Sequence, residues 1–127
     1  MSGVLVDTHV ALWWASDPDR LTVAAREAIE EHGQDVWISA VSLAEMAIKT
    51  QLGKLRDVPA DFPVQMMRRG FRLLPLDPEH GWKLREVERR HADPFDRLLI
   101  AQALHERMAF VSADSRMREY PQLDLVW

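Results

Sequence analysis

The chain has 127 residues, 47% of them apolar and 28% charged, a balance that excludes a disordered chain and is enough for one domain around one core. It contains no cysteine, which excludes a disulfide framework, a thiol nucleophile and a thiolate zinc site, and makes a reducing cytoplasm the expected location. Twenty acidic against sixteen basic residues give a formal charge of -4, so the molecule as a whole repels a phosphate backbone and any nucleic-acid contact must be local.

The N-terminus has no basic leader, and its longest early apolar run, residues 10–15, is too short to span a bilayer, so no membrane role is expected. No repeat, low-complexity tract or Gly/Ser linker interrupts residues 1–127, which read as a single domain. Val4-Leu5-Val6 is a short apolar strand, followed by a helix through Val10–Trp14 with Thr8 as its cap. A second helix fits Thr22–His32, with Thr22 as N-cap and Gly33 supplying the left-handed residue beyond its end. Asp35–Ile38 reads as a strand. Val41, Ala44, Ile48 and Leu52 then place one apolar stripe on a helix that Gly53 closes. A short helix over Asp61–Arg69, a strand over Phe71–Leu76 and a helix over Pro78–Arg90 follow. Asp93-Pro94 starts a further helix with the apolar positions Phe95, Leu98, Leu99 and Ala103. Ala109–Val111 and Leu123–Val126 are the last strands. Short apolar strands alternating with amphipathic helices predict a three-layer α/β/α domain with a mainly parallel central sheet.

In such sheets the site lies beyond the carboxyl ends of the strands, which directs attention to four acids. Asp7 follows the first strand and Asp114 closely follows the strand ending near Val111, while Glu45 and Asp96 lie in first turns of helices. A shared cluster of carboxylates raises its own pKa values unless a cation neutralises it, and a divalent metal supplies that charge. Each acid also has a structural explanation. Asp7 can cap the first helix, Asp114 can form an Asx turn, and Asp96 suits a helix N-terminus. Glu45 fits both a capping box with Ser42 and an i, i+4 pair with Lys49.

Four blocks occur in order: Val4-Leu5-Val6-Asp7-Thr8-His9; Ser42-Leu43-Ala44-Glu45-Met46-Ala47-Ile48-Lys49 with Gly53-Lys54-Leu55; His91-Ala92-Asp93-Pro94-Phe95-Asp96-Arg97-Leu98-Leu99-Ile100-Ala101; and Val111-Ser112-Ala113-Asp114. Together they resemble the successive blocks of PIN-domain proteins, and most closely the VapC-type toxins of bacterial toxin–antitoxin pairs. The resemblance implies a PIN-like domain and an endoribonuclease that uses magnesium, with manganese as the other candidate ion. Its acidic residues fall on Asp7, Glu45, Asp96 and Asp114, as catalytic groups and metal ligands. Ser112 stands where the family often has Thr. The implied partners are an RNA substrate, a cognate antitoxin and a second copy in a homodimer and larger assembly.

Arg97 and Lys49 either contact phosphate or pair with the neighbouring acids, and Asp93 and His91 are read as structural. His9, His32, His80 and His105 lack metal-ligand spacing. Two basic groups, Arg68, Arg69 and Arg72, and the Lys83–Arg90 stretch, are solvated faces or the surfaces that hold RNA. Trp14, Trp37, Trp82 and Trp127 are expected in packing positions, and one of Trp13 and Trp14 is expected to be exposed. Two other functions compete. A receiver-like phospho-acceptor module shares the fold class but needs paired acids after the first strand, where Asp7 is followed by Thr8, and a late lysine, where the only lysines are Lys49, Lys54 and Lys83. A catalytically idle PIN fold kept for binding is the other.

Overall fold

The computed structural model describes residues 3–33, 35–90 and 92–127. Five strands, β1 (Val4–Val6), β2 (Val36–Ser39), β3 (Arg72–Leu74), β4 (Ala109–Val111) and β5 (Leu125–Val126), form one sheet in the order β3-β2-β1-β4-β5. Every strand pairing among the described residues is parallel. The helices are α1 (Thr8–Ser16), α2 (Val23–Glu31), α3 (Ala40–Gln51), α4 (Phe62–Arg68), α5 (Pro78–Lys83) and α6 (Pro94–Glu106).

The period-2 alternation of strand side chains divides the core in two. Val4 and Val6 of β1, with Val36, Ile38 and Val111, pack against α1, α2 and α4 through Val10, Ala11, Ala25, Ile29, Phe62 and Met66. Leu5 and Phe110 point the other way, into Leu99, Ile100, Ala101 and Ala103 of α6. Helices therefore cover both faces, and the central strands read as unbroken apolar runs because both sides are buried.

Caps and turns explain most of the helix limits. Thr22 accepts from the Ala25 N–H at 3.1 Å and Asp93 from the Phe95 N–H at 2.9 Å, as their spacing predicts. Gly33 lies at φ 56°, where an L side chain is strained. At α1 the cap is Asp7, whose Oδ1 accepts from the Thr8 N–H at 2.8 Å, and Thr8 is already helical. The Ser42/Glu45 capping box does not form: Ser39 caps α3, accepting from the Val41 N–H at 2.9 Å.

Other sequence expectations change as well. The helix expected to Arg90 stops at Lys83 and tightens into a 3-10 turn over Leu84–Glu86. Val87 is buried and extended, and its carbonyl accepts from the Arg97 guanidinium at 3.2 Å, which removes it from the helical ladder. Of the apolar stripe expected on α3 only Val41 turns inward; Ala44, Ile48 (42% exposed) and Leu52 (63% exposed) face outward, while Ser42, Glu45 and Met46 are buried. The inner side of α3 combines the apolar Val41, Leu43 and Met46, packed into the core, with polar Ser42 and Glu45, which meet Thr8. Trp82 is 67% exposed beneath the Arg85 guanidinium, whereas Trp13 and Trp14 are both half-buried, against Trp127 and Phe71 respectively.

Candidate active site

From β1 the chain steps outward to β2 and β3, then crosses back to place β4 on the other side of β1. Such a reversal leaves a crevice beyond the strand ends at the switch point. Asp7 leaves β1 there, tied to β4 by its backbone N–H, which donates to the Val111 carbonyl at 2.9 Å. Ser112 and Asp114 leave β4 beside it.

The crevice is a pocket of about 480 Å³ lined by Asp7, Glu45, Asp93, Asp96 and Asp114 together with His9, Trp13, Arg20, Lys49, Ala113 and Arg116. All four acids picked from the sequence are brought together, from four separate stretches of chain. Ser112 Oγ donates to Asp7 Oδ2 at 2.6 Å, and Thr8 Oγ1 donates to Glu45 Oε1 at 2.7 Å while lying 2.9 Å from Ser42 Oγ. Glu45 Oε2 is 2.6 Å from Lys49 Nζ, the pair its spacing predicts. Asp93 caps α6 and lines the pocket at once. Arg97 turns away to Val87 and does not line the pocket. His91 lies outside the described residues.

The electrostatics are those of a crowded anionic site. Burial, then the charges of Asp7, Asp93, Glu45 and Asp114, push the Asp96 carboxyl up to about 7. Burial also raises Asp7, against the hydrogen bonds from Ser112 and Thr8 that favour its ionised form. The hydrogen bond to Glu45 raises Lys49, and that to Asp114 raises Arg116. Arg116 Nη2 lies 2.7 Å from Asp114 Oδ2 and 3.3 Å from Asp96 Oδ2. Its guanidinium is a stand-in cation between two of the acids, and an all-oxygen donor set of this charge suits a hard divalent ion.

Sequence reasoning missed Thr8 and Ser42 as groups that orient Glu45, and missed Arg20 and Arg116 on the pocket wall. No spacing rule flags them, since a hydroxyl or guanidinium acquires its role only from what the fold sets opposite. The arginines that sequence clustering does flag are elsewhere. Arg68, Arg69 and Arg72 sit where α4 feeds the amino end of β3, and Arg69 shares a small crevice there with Gly33 and Val36. Lys83 and Arg90 pair with Glu86 and Glu88, and Arg85 lies on Trp82.

A second group of metal-capable donors, His80, His105 and Glu106, lies near the far end of α6. Asp96 and Glu106 are about 15 Å apart along the helix. His80 Nδ1 accepts from the Asp77 N–H at 2.9 Å, so its proton is on Nε2, which donates to Glu106 at 2.8 Å. That tautomer presents a proton where a metal would need a lone pair.

Comparison with known proteins agrees with the geometry. The PIN domain family model matches residues 4–123. Ribonuclease VapC22 of Mycobacterium tuberculosis is 30% identical over 131 aligned positions that cover 100% of both chains. The fold matches chains in the crystal structures of VapBC2 from Rickettsia felis bound to a promoter DNA fragment (TM-score 0.72, 13% identity, covering 98% of this chain and 97% of that one) and of FitAcB from Neisseria gonorrhoeae (TM-score 0.60, 19% identity, 96% and 95%). A receiver-like phospho-acceptor is set aside by these matches. With its acids gathered at the switch point of a parallel sheet and its whole length matched, the chain belongs to the PIN-domain family, among its VapC-type ribonucleases.

Proposed function

We propose that the chain is an endoribonuclease that hydrolyses RNA phosphodiester bonds with a divalent metal, magnesium or manganese, both of which suit all-carboxylate donors, and serves as the toxin of a toxin–antitoxin pair. The observation that carries the reading is the convergence of Asp7, Glu45, Asp96 and Asp114 on one pocket in which a guanidinium already bridges two of them. Asp7, Glu45, Asp96 and Asp114 are the residues that would hold the metal. Bound there, a divalent ion lowers the pKa of a water for attack on phosphorus and stabilises charge on the phosphoryl oxygens.

The chain's own groups prepare that site. Ser112 and the Thr8 N–H fix both oxygens of Asp7, and Thr8 with Lys49 fixes both oxygens of Glu45, so the acids are oriented before any ion or substrate arrives. Lys49 and Arg116 offset part of the negative charge that would repel an RNA phosphate. The structural neighbours from VapBC complexes support an antitoxin as partner; a homodimer within a larger toxin–antitoxin assembly is part of the same proposal.

Asp7→Asn, Asp96→Asn and Glu45→Gln test the reading together. Each keeps the shape of the side chain and removes ligand charge, so RNA cleavage is expected to fall at least about 100-fold while the thermal unfolding transition survives. Manganese should raise the melting temperature of the wild type more than that of Asp7→Asn. A fully active Glu45→Gln enzyme would remove Glu45 from the metal site, and absence of any metal-dependent shift in the wild type would favour an idle fold kept for binding.

A further inference from the structure

Three cations on the pocket wall differ in what they are already bound to. Lys49 is 2.6 Å from Glu45 and Arg116 is 2.7 Å from Asp114. Arg20 has no carboxylate partner and no side-chain hydrogen bond among the described residues; its guanidinium carbon lies 4.5 Å from the centroid of the Trp13 ring. The indole is itself held, tilted against Trp127 at 6.0 Å and His9 at 5.9 Å. A guanidinium is weakly hydrated and stacks on aromatic faces, so Trp13 holds Arg20 at the rim of an acidic pocket and leaves its N–H donors uncommitted.

The position of that rim matters. His9, Trp13 and Arg20 also line a second cavity of about 570 Å³, so the two pockets meet at these residues. The second cavity has apolar walls from Leu12, Leu55, Val58 and Phe62, with Arg56, Gln65 and the acids Asp17 and Asp57 at polar positions. Its size and its mixture of apolar and hydrogen-bonding walls fit a small planar ligand with polar edges, such as a nucleobase. A single RNA strand that places one phosphate at the acids must send its next nucleotide out of the pocket, and this trough is continuous with it.

Resting on the ribonuclease reading, we propose that Arg20, seated on Trp13, binds the phosphate next to the scissile one, and that the second cavity receives the adjoining base. Arg20 is a substrate-binding residue in this assignment and Trp13 is its positioning residue. Stacking of bases on aromatic and guanidinium planes is tolerant of sequence, so the subsite contributes grip on single-stranded RNA more than base choice.

The test uses binding of a 5′-labelled oligouridylate to the full chain in EDTA, where the strand is left uncut, across a range of salt. Arg20→Ala is expected to weaken binding about tenfold and to make the log–log salt slope shallower by about 0.7, the value for one phosphate contact to a single strand. Arg20→Lys should restore the slope and only part of the affinity, because it keeps the charge and loses the stacked plane. The manganese-induced rise in melting temperature should be the same in wild type and Arg20→Ala, which separates this contact from damage to the acid cluster. An Arg20→Ala affinity within about twofold of wild type overturns the proposal, as does a wild type that binds no oligouridylate. Loss of affinity for a co-purified antitoxin with RNA binding unchanged also overturns it and assigns the surface to protein. Cleavage of total bacterial RNA by the wild type independently decides the ribonuclease reading.

Discussion

The Asp7 carboxylate serves two purposes at once, with Oδ1 capping α1 and Oδ2 held by Ser112 in the pocket. Asp93 and Asp114 do the same, each accepting from a backbone N–H just after it while lining the site. Capping and chemistry are therefore joint consequences of placing acids where strands end and helices begin, because helix N-termini favour negative charge. Asp96 is where the crowding shows. Its carboxyl is raised from 3.8 to about 7 by burial and then by the surrounding acids, so the folded state binds a proton more tightly than the unfolded chain. Between about pH 4 and about pH 7 this group makes the metal-free protein lose stability as pH rises. In EDTA, the melting temperature of the wild type relative to Asp96→Asn should fall between about pH 4 and about pH 7. With saturating magnesium the trend should reverse, since the ion competes with the proton for the same oxygens. A pH-independent difference between the two proteins in EDTA would refute the assignment.

At the scale of elements, α6 carries Asp96 in its first turn and anchors the rest of the structure with its later ones. Gln102 is buried in α6, its amide donating to the Pro75 carbonyl at 3.2 Å and its oxygen accepting from Ser39, the cap of α3. His80, fully buried, joins α5 to Glu106 on the same helix. The helix bearing Asp96 and the helix bearing Glu45 are thus braced through side chains behind the pocket. His80→Ala leaves the Asp77 N–H and Glu106 without their buried partner, and a loss of about 2 to 4 kcal/mol in urea unfolding is expected. The end of α6 offers the opposite case. Arg107 adopts φ 57° as its C-cap, a conformation that costs a residue with a Cβ. Arg107→Gly should stabilise the chain by about 0.5 to 1 kcal/mol, the relief of strain less the added freedom of the unfolded state; an unchanged urea midpoint would contradict this.

Taken as a whole molecule, an acidic chain must hold an acidic polymer, and the fold reconciles the two by segregation. The anionic pocket lies at the carboxyl ends of the strands, while Arg68, Arg69 and Arg72 gather at the opposite end of β3. The cations that adjoin the pocket, Arg20, Lys49 and Arg116, come from three separate segments and form no cluster in sequence. As a toxin, the wild type should arrest growth when expressed alone, the arrest should be relieved by its antitoxin, and Asp96→Asn should be harmless at equal folded abundance. Size measurement of the purified pair should give an assembly larger than one-to-one. Unimpaired growth with folded wild type accumulating would refute the toxin reading and leave nuclease activity open to direct assay.

Local chemistry made much of this legible from residue order. Apolar triplets such as Val4-Leu5-Val6, caps such as Thr22 and Asp93-Pro94, and the glycine after α2 act within a few residues, so they determine elements, their alternation and hence the layered parallel sheet. The same logic placed Asp7 and Asp114 at strand ends and Asp96 in a first helical turn, but Glu45, expected in a first turn, lies in the second because α3 starts at Ala40 behind the cap Ser39. What tertiary structure alone decided is which faces and which partners those elements meet. The inward side of α3 pairs Glu45 with Thr8, 37 residues away, and packs Met46 and Val41 into the core, leaving Ile48 and Leu52 outside. Past the 3-10 turn after α5 the chain is extended at Val87, whose carbonyl is taken by Arg97, 10 residues on, a partner no local pattern announces. Arg20 and Arg116 reach the pocket only when loops from distant parts of the chain fold against the strand ends. Contacts across the sequence depend on distances that no local propensity encodes, which is why the four acids and the Glu45–Lys49 pair could be placed in advance, while Arg20 at the pocket and the reach of Arg116 to Asp96 could not.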